Sequence, residues 1–508
     1  MSSLLPEGHL PRIAQRRDSR TLPQLDHIVI VVSSEAGKAA WAALPAGQAL
    51  AAAARRRDMN KAGSVFTLHL EDPCAVTVGI ADPDATPFTW LTLARKLAAE
   101  TRSARPAKIG VMTCGAPDDK AATWIEAAVS GLLAAEAEMP RFRSTGERRA
   151  SRQVTITLLD EAPALDVARV RAEAEGNHLA RWLTALPPNR LDAPAYRDLI
   201  AELADREGWE FSFRDEVALK KEGAGAFLAV ARSNPHRDAG IVRLRYRPPK
   251  APKNGAPIAL VGKGICFDTG GNNLKPFRGM LDMHEDMQGS AVALGTLLAL
   301  TRIAYPQPVD CWLAITENRI GPDAYKSRDV VTAANGVTIE VIHTDAEGRM
   351  VLADTLTLAA RAEPAVMIDY ATLTGACVAA LTCRYSGVFG NRDAVLDAAV
   401  AAGRSSGERT WAFPMDEDFD EGIESRMADV LQCSTDNDGD HIVAARFLQR
   451  FVPHETPWLH VDLSAGHRKG GLGLVPTAQT GFGVRLTLAM LLDHGLLDAA
   501  SRDGSGKE

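Results

Sequence analysis

The chain has 508 residues, with 57 Lys and Arg against 64 Asp and Glu, so its formal net charge at pH 7 is −7. Domains typically hold roughly 100–200 residues, so this length predicts two to four of them. Hydrophobic residues make up 46% and charged residues 24% of the chain, which excludes wholesale disorder. Proteins whose main partner is nucleic acid usually carry a basic excess, and this composition argues against that class while leaving a local basic patch open.

The distribution of cysteines and of apolar residues along the sequence predicts that the protein is cytoplasmic. The seven cysteines are scattered and form no C-x-x-C pair, which is typical of a reducing compartment rather than of a disulfide framework. We find neither a run long enough to span a membrane nor the continuous apolar core of a signal peptide. Residues 1–25 are predicted to form a flexible tail, and their arginines leave a transit peptide as the alternative.

The first predicted domain, residues 26–164, is a small α/β unit. Apolar runs predict strands at Asp26–Ser33, Ser64–Leu70, Ala75–Ile80, Lys108–Met112 and Gln153–Leu159. The spacing of apolar residues predicts helices at Gly37–Arg57, Trp90–Thr101 and Ala121–Ala135. We identify no catalytic motif in this segment.

A helical pattern over residues 165–187 predicts a helix that links two domains. It ends at Pro187-Pro188, because proline cannot continue a helix and the residue before it avoids the helical region. The second domain is predicted over residues 188–498, and a short tail follows at 499–508.

Strands and helices alternate along the second predicted domain. The predicted strands are Gly240–Tyr246, Ile258–Gly262, Val309–Glu317, Thr338–His343, Ala365–Ala371 and Trp458–Ser464. The predicted helices are Gly289–Ile303, Met350–Ala362, His441–Val452 and Thr480–His494. This alternation predicts an α/β fold in which helices cover both faces of a mixed, mostly parallel sheet.

Chemistry-bearing residues collect after these predicted strands, which is where open α/β sheets bind ligands. They are Lys263, Asp268, Lys275, Asp286, Asp345, Glu347 and Arg349. Asp345 and Glu347, as residues i and i+2 of extended backbone, are predicted to face one site. A single acid at a strand end is usually a helix cap or a surface residue. Carboxylates that converge, however, repel strongly without cations, so the joint pattern predicts two divalent ions and a hydrolase.

Three segments make the pattern more specific: VGKGICFDTGGNNLKP (Val261–Pro276), DMHEDMQGS (Asp282–Ser290) and HTDAEGRMVLADTL (His343–Leu356). They resemble the leucyl aminopeptidase (cytosol aminopeptidase) family of dinuclear metallopeptidases. DYATLTGA, PWLHVDLSAG and TGFGVRL extend the resemblance over residues 186–494, and the HRKGG run also resembles the bacterial aminopeptidase B branch. The first third of the chain is similar only in kind, as a smaller α/β domain.

The resemblance implies a metal-dependent aminopeptidase with two divalent ions, Zn²⁺ or Mn²⁺, with Mg²⁺ and Co²⁺ as alternatives. The implied ligands are Lys263, Asp268, Asp286, Asp345 and Glu347. Lys275 and Arg349 would be the catalytic pair, and Arg349 would hold a bicarbonate ion that acts as general base. An ammonium group has no lone pair, so Lys263 could bind a metal only after losing its proton to the field of the dications.

The resemblance also implies how substrate binds and reacts. Met283, Thr372, Leu373 and Gly375 would line the pocket for the N-terminal side chain, and an apolar pocket lined by methionine suits leucine-like residues. A metal-bridging water would attack the peptide carbonyl while Lys275 stabilises the oxyanion. The implied substrates are peptides with a free N-terminus, and the implied assembly is a homohexamer.

Some residues depart from the family pattern, among them Gln288, Arg328 and His343. His343 is either an additional ligand or, as we favour, a hydrogen-bonding neighbour of the ligands. Two further functions remain open: a narrow-specificity dipeptidase, and a family member with an additional DNA-binding or regulatory role.

Overall fold

A computed structural model describes residues 4–6, 10–15, 24–70, 74–144, 152–159, 165–249, 255–436 and 438–502. The chain divides into two compact units. The smaller unit contains Pro6–Ala174 and Arg468–Thr480, and the larger unit contains Met1–Leu5, Glu175–His467 and Gly481–Glu508. The division falls inside the helix Val167–Thr184, within the segment that we predicted to link two domains.

The smaller unit is built on a six-stranded sheet with the order β1-β6-β5-β2-β4-β3. Its strands are β1 (Arg12–Gln15), β2 (His27–Ser33), β3 (Val65–His69), β4 (Ala75–Ala81), β5 (Lys108–Cys114) and β6 (Thr155–Leu158). Neighbouring strands run parallel except β3, which is antiparallel to β4. The helices are α1 (Lys38–Ala43), α2 (Gly47–Arg56), α3 (Pro87–Ser103) and α4 (Asp118–Glu136), followed by α5 (Val167–Thr184).

Three sequence predictions are corrected in the smaller unit. Arg12–Gln15, predicted as part of a flexible tail, is an edge strand whose backbone pairs with Thr155–Leu158. The single helix predicted at Gly37–Arg57 is two helices, because the chain turns at Ala46, whose φ is 52°. Arg468–Thr480, predicted in the second domain, belongs to this unit, since Leu474 packs against a small apolar cluster that includes Leu91 and Ala94.

The larger unit contains an eight-stranded sheet with the order β15-β14-β17-β13-β9-β10-β8-β7. Its strands are β7 (Glu210–Asp215), β8 (Gly240–Tyr246), β9 (Ile258–Asp268), β10 (Val309–Asn318), β13 (Val366–Ala371), β14 (Ser386–Gly390), β15 (Thr410–Ala412) and β17 (Trp458–Asp462). The central strands β17, β13, β9 and β10 are parallel, and antiparallel pairs flank them. The prediction of a mixed, mostly parallel sheet is therefore confirmed.

A separate three-stranded sheet joins β11 (Val330–Thr332), β12 (Thr338–Glu340) and β16 (Val430–Leu431). The strand predicted at Thr338–His343 therefore lies outside the main sheet and ends at Glu340. The helices of the larger unit are α6 (Ala193–Glu207), α7 (Glu216–Lys221), α8 (Gly225–Ala231), α9 (Phe277–Met280), α10 (Gln288–Arg302), α11 (Glu347–Ala360), α12 (Gly375–Leu381), α13 (Asp393–Ser406), α14 (Asp440–Gln449), α15 (Val484–Leu492) and α16 (Leu496–Ser501).

Strand β9 lies between two buried helices and directs alternate residues to each of them. Gly262 faces α10 so closely that a Cβ atom there would lie 2.4 Å from the Cα of Ser290. Lys263, the next residue, points the opposite way, and a Cβ on Gly348 of α11 would lie 2.7 Å from its Nζ. Side chains alternate across a strand with a period of two, so these glycines determine how closely the two helices approach the strand that carries the site.

None of the helices in the described ranges combines the length and apolar character that crossing a bilayer requires.

The contact between α10 and the sheet gives a stability prediction. A Cβ on Gly289 would lie 2.0 Å from the carbonyl oxygen of Tyr370, so Gly289→Ala must displace the helix from the sheet. Overpacking of this kind costs about 1–3 kcal/mol and occasionally more, and we expect the free energy of unfolding, measured by urea denaturation, to fall by that amount.

Gly321→Ala is the matched control, since the nearest atom to its added Cβ is 3.8 Å away. Equal stability of the two variants would contradict this account of the packing.

Candidate metal centre and active site

Lys263 lies inside β9 rather than in the loop after it, because the strand continues to Asp268. Its side chain is buried, and Nζ lies 2.8 Å from Asp286 Oδ1 and 3.0 Å from Glu347 Oε1. It also donates to the carbonyl oxygen of Thr372 at 2.9 Å. The lysine thus joins two acids and one backbone carbonyl, which come from three separate segments of the chain.

Asp268 is the last residue of β9, and a tight turn follows it. The backbone N–H of Gly270, whose φ is 85°, and the side-chain amide of Asn318 both donate to Asp268 Oδ1 at 2.8 Å. Asp268 Oδ2 lies 2.8 Å from the Nζ of Lys275. One oxygen of this carboxylate is therefore held by the fold, while the other faces the charged side chains of the site.

Asp286 follows the short 3-10 turn Met283–Glu285 and precedes α10. Its Oδ1 accepts hydrogen bonds from Lys263 Nζ and from Thr372 Oγ1, both at 2.8 Å. These bonds fix the orientation of the carboxylate and leave Oδ2 without a hydrogen-bond partner in the described part of the chain.

Asp345 and Glu347 reach the site by a different route from the one predicted. They do not lie on extended backbone: Asp345 is in a turn and Glu347 is the first residue of α11. Lys275 Nζ lies 2.6 Å from Asp345 Oδ1, so the turn still brings this acid to the cluster. The prediction that both acids face one site rested on the two-residue period of a strand, and that reason was wrong. The helix begins at Glu347, three residues earlier than the predicted Met350.

Backbone and side-chain bonds clamp the segment that carries these two acids. The side-chain oxygen of Gln432 accepts from the N–H groups of Ile342 and His343 at 3.1 Å, and its amide donates to the carbonyl of Ala346 at 3.0 Å. Thr344 Oγ1 donates to the carbonyl of Gly270 at 2.6 Å, which ties this segment to the turn after Asp268. Gln432 and Thr344 were not singled out from the sequence.

Carboxylate oxygens of Asp268, Asp286 and Glu347 lie within 4.8 Å of one another, and all three residues are buried. Glu347 Oε2, like Asp286 Oδ2, is buried and has no hydrogen-bond partner among the described residues. A buried carboxylate oxygen without a partner is costly, and oxygen atoms of this kind are ligands that divalent cations accept. The donor set and its two unpaired oxygens fit a metal centre.

The charges of the cluster do not balance within the protein. Burial and the neighbouring charges of Asp268 and Glu347 raise the pKa of Asp345 to about 7, and burial together with Asp268 raises the pKa of Glu347. Burial alone would lower the pKa of Lys263, but the surrounding carboxylates outweigh it and hold that pKa well above its usual range. The pKa values of the acids and of Lys263 are all raised, which means that the site favours bound protons and other positive charge.

A cavity of about 390 Å³ opens beside the cluster. All five predicted ligands, Lys275, and the predicted pocket residues Met283, Thr372, Leu373 and Gly375 line it. The cavity also contains residues that sequence reasoning missed, namely Asp282, Glu285, Val378, Cys383, Asp462 and His467. His467 Nδ1 and Glu285 Oε2 are 2.8 Å apart, so this wall of the cavity is polar while Met283, Leu373 and Val378 are apolar.

The surroundings of Arg349 differ from those that the family resemblance implied, whereas His343 makes a local hydrogen bond. Arg349 is buried, and its guanidinium is bound by Asp440 and by the carbonyl of Gln432, whereas Asp440 was not singled out from the sequence. His343 Nδ1 accepts a hydrogen bond of 3.2 Å from the N–H of Asp345. This contact corresponds to the hydrogen-bonding role that we favoured over a ligand role for His343.

The fold and the buried acidic cluster fit a metal-dependent hydrolase, and the comparisons with known proteins show the family to which the chain belongs. Residues 178–488 match the cytosol aminopeptidase family, catalytic domain. A probable cytosol aminopeptidase of Wolbachia pipientis is 39% identical over 72% of this chain and 75% of its own length. One from Synechococcus is 35% identical over 82% of this chain and 85% of its own length.

Solved structures agree with this assignment. A mutant of tomato leucine aminopeptidase superposes with a TM-score of 0.85 at 27% identity, covering 96% of this chain and 97% of its own. The bottromycin maturation enzyme BotP in complex with Mn has a TM-score of 0.78 at 30% identity, with 94% and 99% coverage. The chain therefore belongs to the cytosol aminopeptidase family, which confirms the resemblance read from its motifs. It is a metal-dependent aminopeptidase, a hydrolase that acts on the N-terminal ends of peptides.

The unpaired carboxylate oxygens give a prediction about stability. A metal ion that binds only the folded protein stabilises it, by about 2.7 kcal/mol when its concentration is 100 times the dissociation constant. We expect Mn²⁺ to raise the thermal unfolding midpoint of the purified, chelator-treated protein, and Glu347→Gln to lose most of that increase.

Glu363→Gln, which changes an exposed glutamate, should respond to Mn²⁺ as the unsubstituted chain does. The assignment fails if Glu347→Gln and Glu363→Gln are stabilised equally.

Proposed function

We propose that this aminopeptidase removes leucine-like N-terminal residues at a dinuclear centre held by Lys263, Asp268, Asp286, Asp345 and Glu347. The observation that carries the proposal is the buried acidic cluster with two unpaired oxygens beside a cavity with an apolar wall. All of these residues lie in the larger unit, and we propose the parts of the segment 188–498 that belong to this unit, 188–467 and 481–498, as the catalytic domain.

The donor set supports Zn²⁺ or Mn²⁺ as the native ions, with Mg²⁺ or Co²⁺ as substitutes, because it combines hard carboxylate oxygens with one amine. The structural relative described as a complex with Mn favours Mn²⁺. When bound, such ions supply Lewis-acid polarisation of the carbonyl and a water molecule of lowered pKa.

Lys275 is the residue of this chain best suited to stabilise the developing oxyanion. Its ammonium lies between Asp268 and Asp345, with Nζ–O distances of 2.8 and 2.6 Å, and lines the cavity. The surrounding carboxylates outweigh burial and hold the pKa of Lys275 above its usual range, so it stays charged at neutral pH. A positive charge held where negative charge develops lowers the barrier without needing to reorganise.

The free α-amine of the substrate is positive, and the acidic surroundings of the cavity favour it. Asp282, Glu285 and Asp462 add negative charge to the wall beyond the proposed ligands. Met283, Leu373 and Val378 offer an apolar surface against which a leucine-like side chain would pack.

The bicarbonate ion implied by the family resemblance does not fit the arrangement around Arg349. A carboxylate of the chain, that of Asp440, already accepts hydrogen bonds from Nη2 at 2.8 and 3.0 Å. We therefore include no step through bicarbonate in the proposed reaction.

We also propose a homohexamer in the cytoplasm, with peptides as substrates. The names of the curated relatives, cytosol aminopeptidases, support the location. The free state of all seven cysteines agrees with a reducing compartment.

Lys275→Ala tests the catalytic role. Loss of one oxyanion-stabilising group costs about 10²–10³-fold in kcat, and we expect a loss of that size for hydrolysis of a leucine anilide by the Mn²⁺-loaded enzyme, with little change in KM.

Lys326→Ala is the matched control, because that lysine is exposed and its Nζ lies 3.8 Å from Asp329 Oδ1, a long ion pair. Retention of full kcat by Lys275→Ala would refute the role assigned to Lys275.

Substrate preference follows from the apolar wall of the cavity. Each added methylene in an apolar pocket is worth about 1–3 kcal/mol, or 10–200-fold in kcat/KM. We expect dipeptides that begin with Leu or Met to be cleaved at least about tenfold faster than those that begin with Gly, as measured on a panel of X-Gly dipeptides. Cleavage of Cys-Gly alone would instead indicate the narrow-specificity dipeptidase.

A further inference from the structure

Arg349, one of the two residues assigned to catalysis, is bound on the inside of the protein by a carboxylate. Its side chain is 2% exposed, and Nη2 donates to both oxygens of Asp440, at 2.8 Å to Oδ1 and 3.0 Å to Oδ2. Nη1 donates to the carbonyl of Gln432 at 3.3 Å. Asp440 and Gln432 together occupy both terminal nitrogens of the guanidinium.

The position of Asp440 is held by its local backbone. It is the first residue of α14, directly after Gly439, whose φ of 61° turns the chain into the helix. A carboxylate in the first turn of a helix is favoured by the positive end of the helix dipole. The salt bridge to a buried arginine adds charge-assisted hydrogen bonds, which are stronger than those between neutral groups.

Asp440 also belongs to the electrostatic surroundings of the active site. The side chain of His343 feels the opposing charges of Lys275, Asp440 and Arg349, and its Nδ1 accepts from the N–H of Asp345. Asp440 therefore acts on the segment that carries Asp345 and Glu347 through Arg349, which follows these two acids on α11.

A carboxylate and a bicarbonate ion present the same chemistry to a guanidinium group. Each is planar, carries one negative charge and offers two oxygens on one carbon atom, so either can accept the N–H groups of an arginine. Two such anions cannot share Nη2 without repelling each other. The carboxylate of Asp440 thus competes with an external anion for Nη2.

We propose that Asp440 is a positioning residue that occupies the anion-binding side of Arg349 with the chain's own carboxylate, so that this aminopeptidase works without an external bicarbonate ion. The inference rests on the proposed function, because it concerns the arginine assigned to that reaction. Asp440 holds the guanidinium in one orientation and neutralises its charge. Asp440→Ala should leave Arg349 free to take up an anion from solution.

Anion binding tests this without using activity. The enzyme is loaded with Mn²⁺, desalted to remove free metal, and titrated with sodium bicarbonate or with formate in a calorimeter. We expect no binding to the unsubstituted chain, saturable binding to Asp440→Ala, and none to the double variant Asp440→Ala/Arg349→Ala. Asp438→Ala, a neighbouring exposed acid, should behave as the unsubstituted chain.

Two calorimetric outcomes would overturn the proposal. Saturable binding of bicarbonate to the unsubstituted chain would show that Asp440 does not exclude it. Binding that persists in the double variant would mean that the anion occupies another part of the molecule.

Chemical rescue tests the role in turnover. Loss of a residue that orients an active-site group typically costs about 10–100-fold, and we expect kcat of Asp440→Ala to fall by that factor and to recover saturably with bicarbonate or formate. Asp440→Asn keeps the volume but not the charge, so its kcat should fall without being rescued. If Asp440 had a merely structural role, added bicarbonate or formate would affect kcat of Asp440→Ala and of Asp440→Asn in the same way.

An increase in kcat of the unsubstituted enzyme with bicarbonate would contradict the proposal, as would full activity of Asp440→Ala in its absence. If no variant, nor the unsubstituted enzyme, cleaves any peptide, the proposed function fails while the calorimetry still decides the role of Asp440.

Discussion

Several buried carboxylates lie within a few ångströms of one another, and the arrangement of the larger unit around them depends on this constraint. Asp268, Asp286 and Glu347 present oxygens within 4.8 Å of one another in the interior. Bringing such groups together costs free energy through both desolvation and mutual repulsion. Lys263 and Lys275 offset part of this cost, and the proposed metal centre would account for the remaining unpaired oxygens.

The fold meets this constraint by bringing charges together from several separate elements of the larger unit. Lys263 and Asp268 come from the central strand β9, Asp286 from the end of the 3-10 turn that precedes α10, and Glu347 from the first residue of α11. Glycines allow the elements to approach, since Gly262 admits α10 and Gly348 admits the side chain of Lys263. Sites built on helices and strands hold their groups more precisely than sites built on loops, which is what a metal-dependent hydrolase requires.

The surroundings of the cluster separate two kinds of role. Residues that line the cavity, such as Lys275 and Met283, can meet a substrate directly. Gln432 and Asp440 act instead on the segment between Ile342 and Arg349, through hydrogen bonds to its backbone and to the guanidinium, and Thr344 ties that segment to the carbonyl of Gly270. Changes in this second set alter how the reactive groups are held rather than which groups are present.

Much of this could be predicted because the informative residues are close in sequence. The segments around Lys263, Asp286 and Asp345 each contain a short motif; their residue types indicate a metal-dependent hydrolase, and their resemblance to a known family indicates which family. Regular elements with strong apolar patterns, such as β8 at Gly240–Tyr246, were also predicted correctly. The predictions failed where the local sequence pattern favours one conformation and contacts with distant parts of the chain favour another. Arg12–Gln15 becomes a strand only because β6 is there to pair with it, and Glu347 starts a helix although its neighbours suggested extended backbone.

The sequence by itself therefore determined the chemistry of the site: the acids, the lysines and the family to which their spacing belongs. Only the tertiary structure decided which oxygens remain unpaired, which residues clamp the ligand segment, and what Arg349 binds. The physical reason is distance along the chain. Asp440 lies 91 residues from Arg349 and Gln432 lies 90 residues from Ile342, so no local pattern relates them, and their contacts exist only once the sheet and its helices have packed.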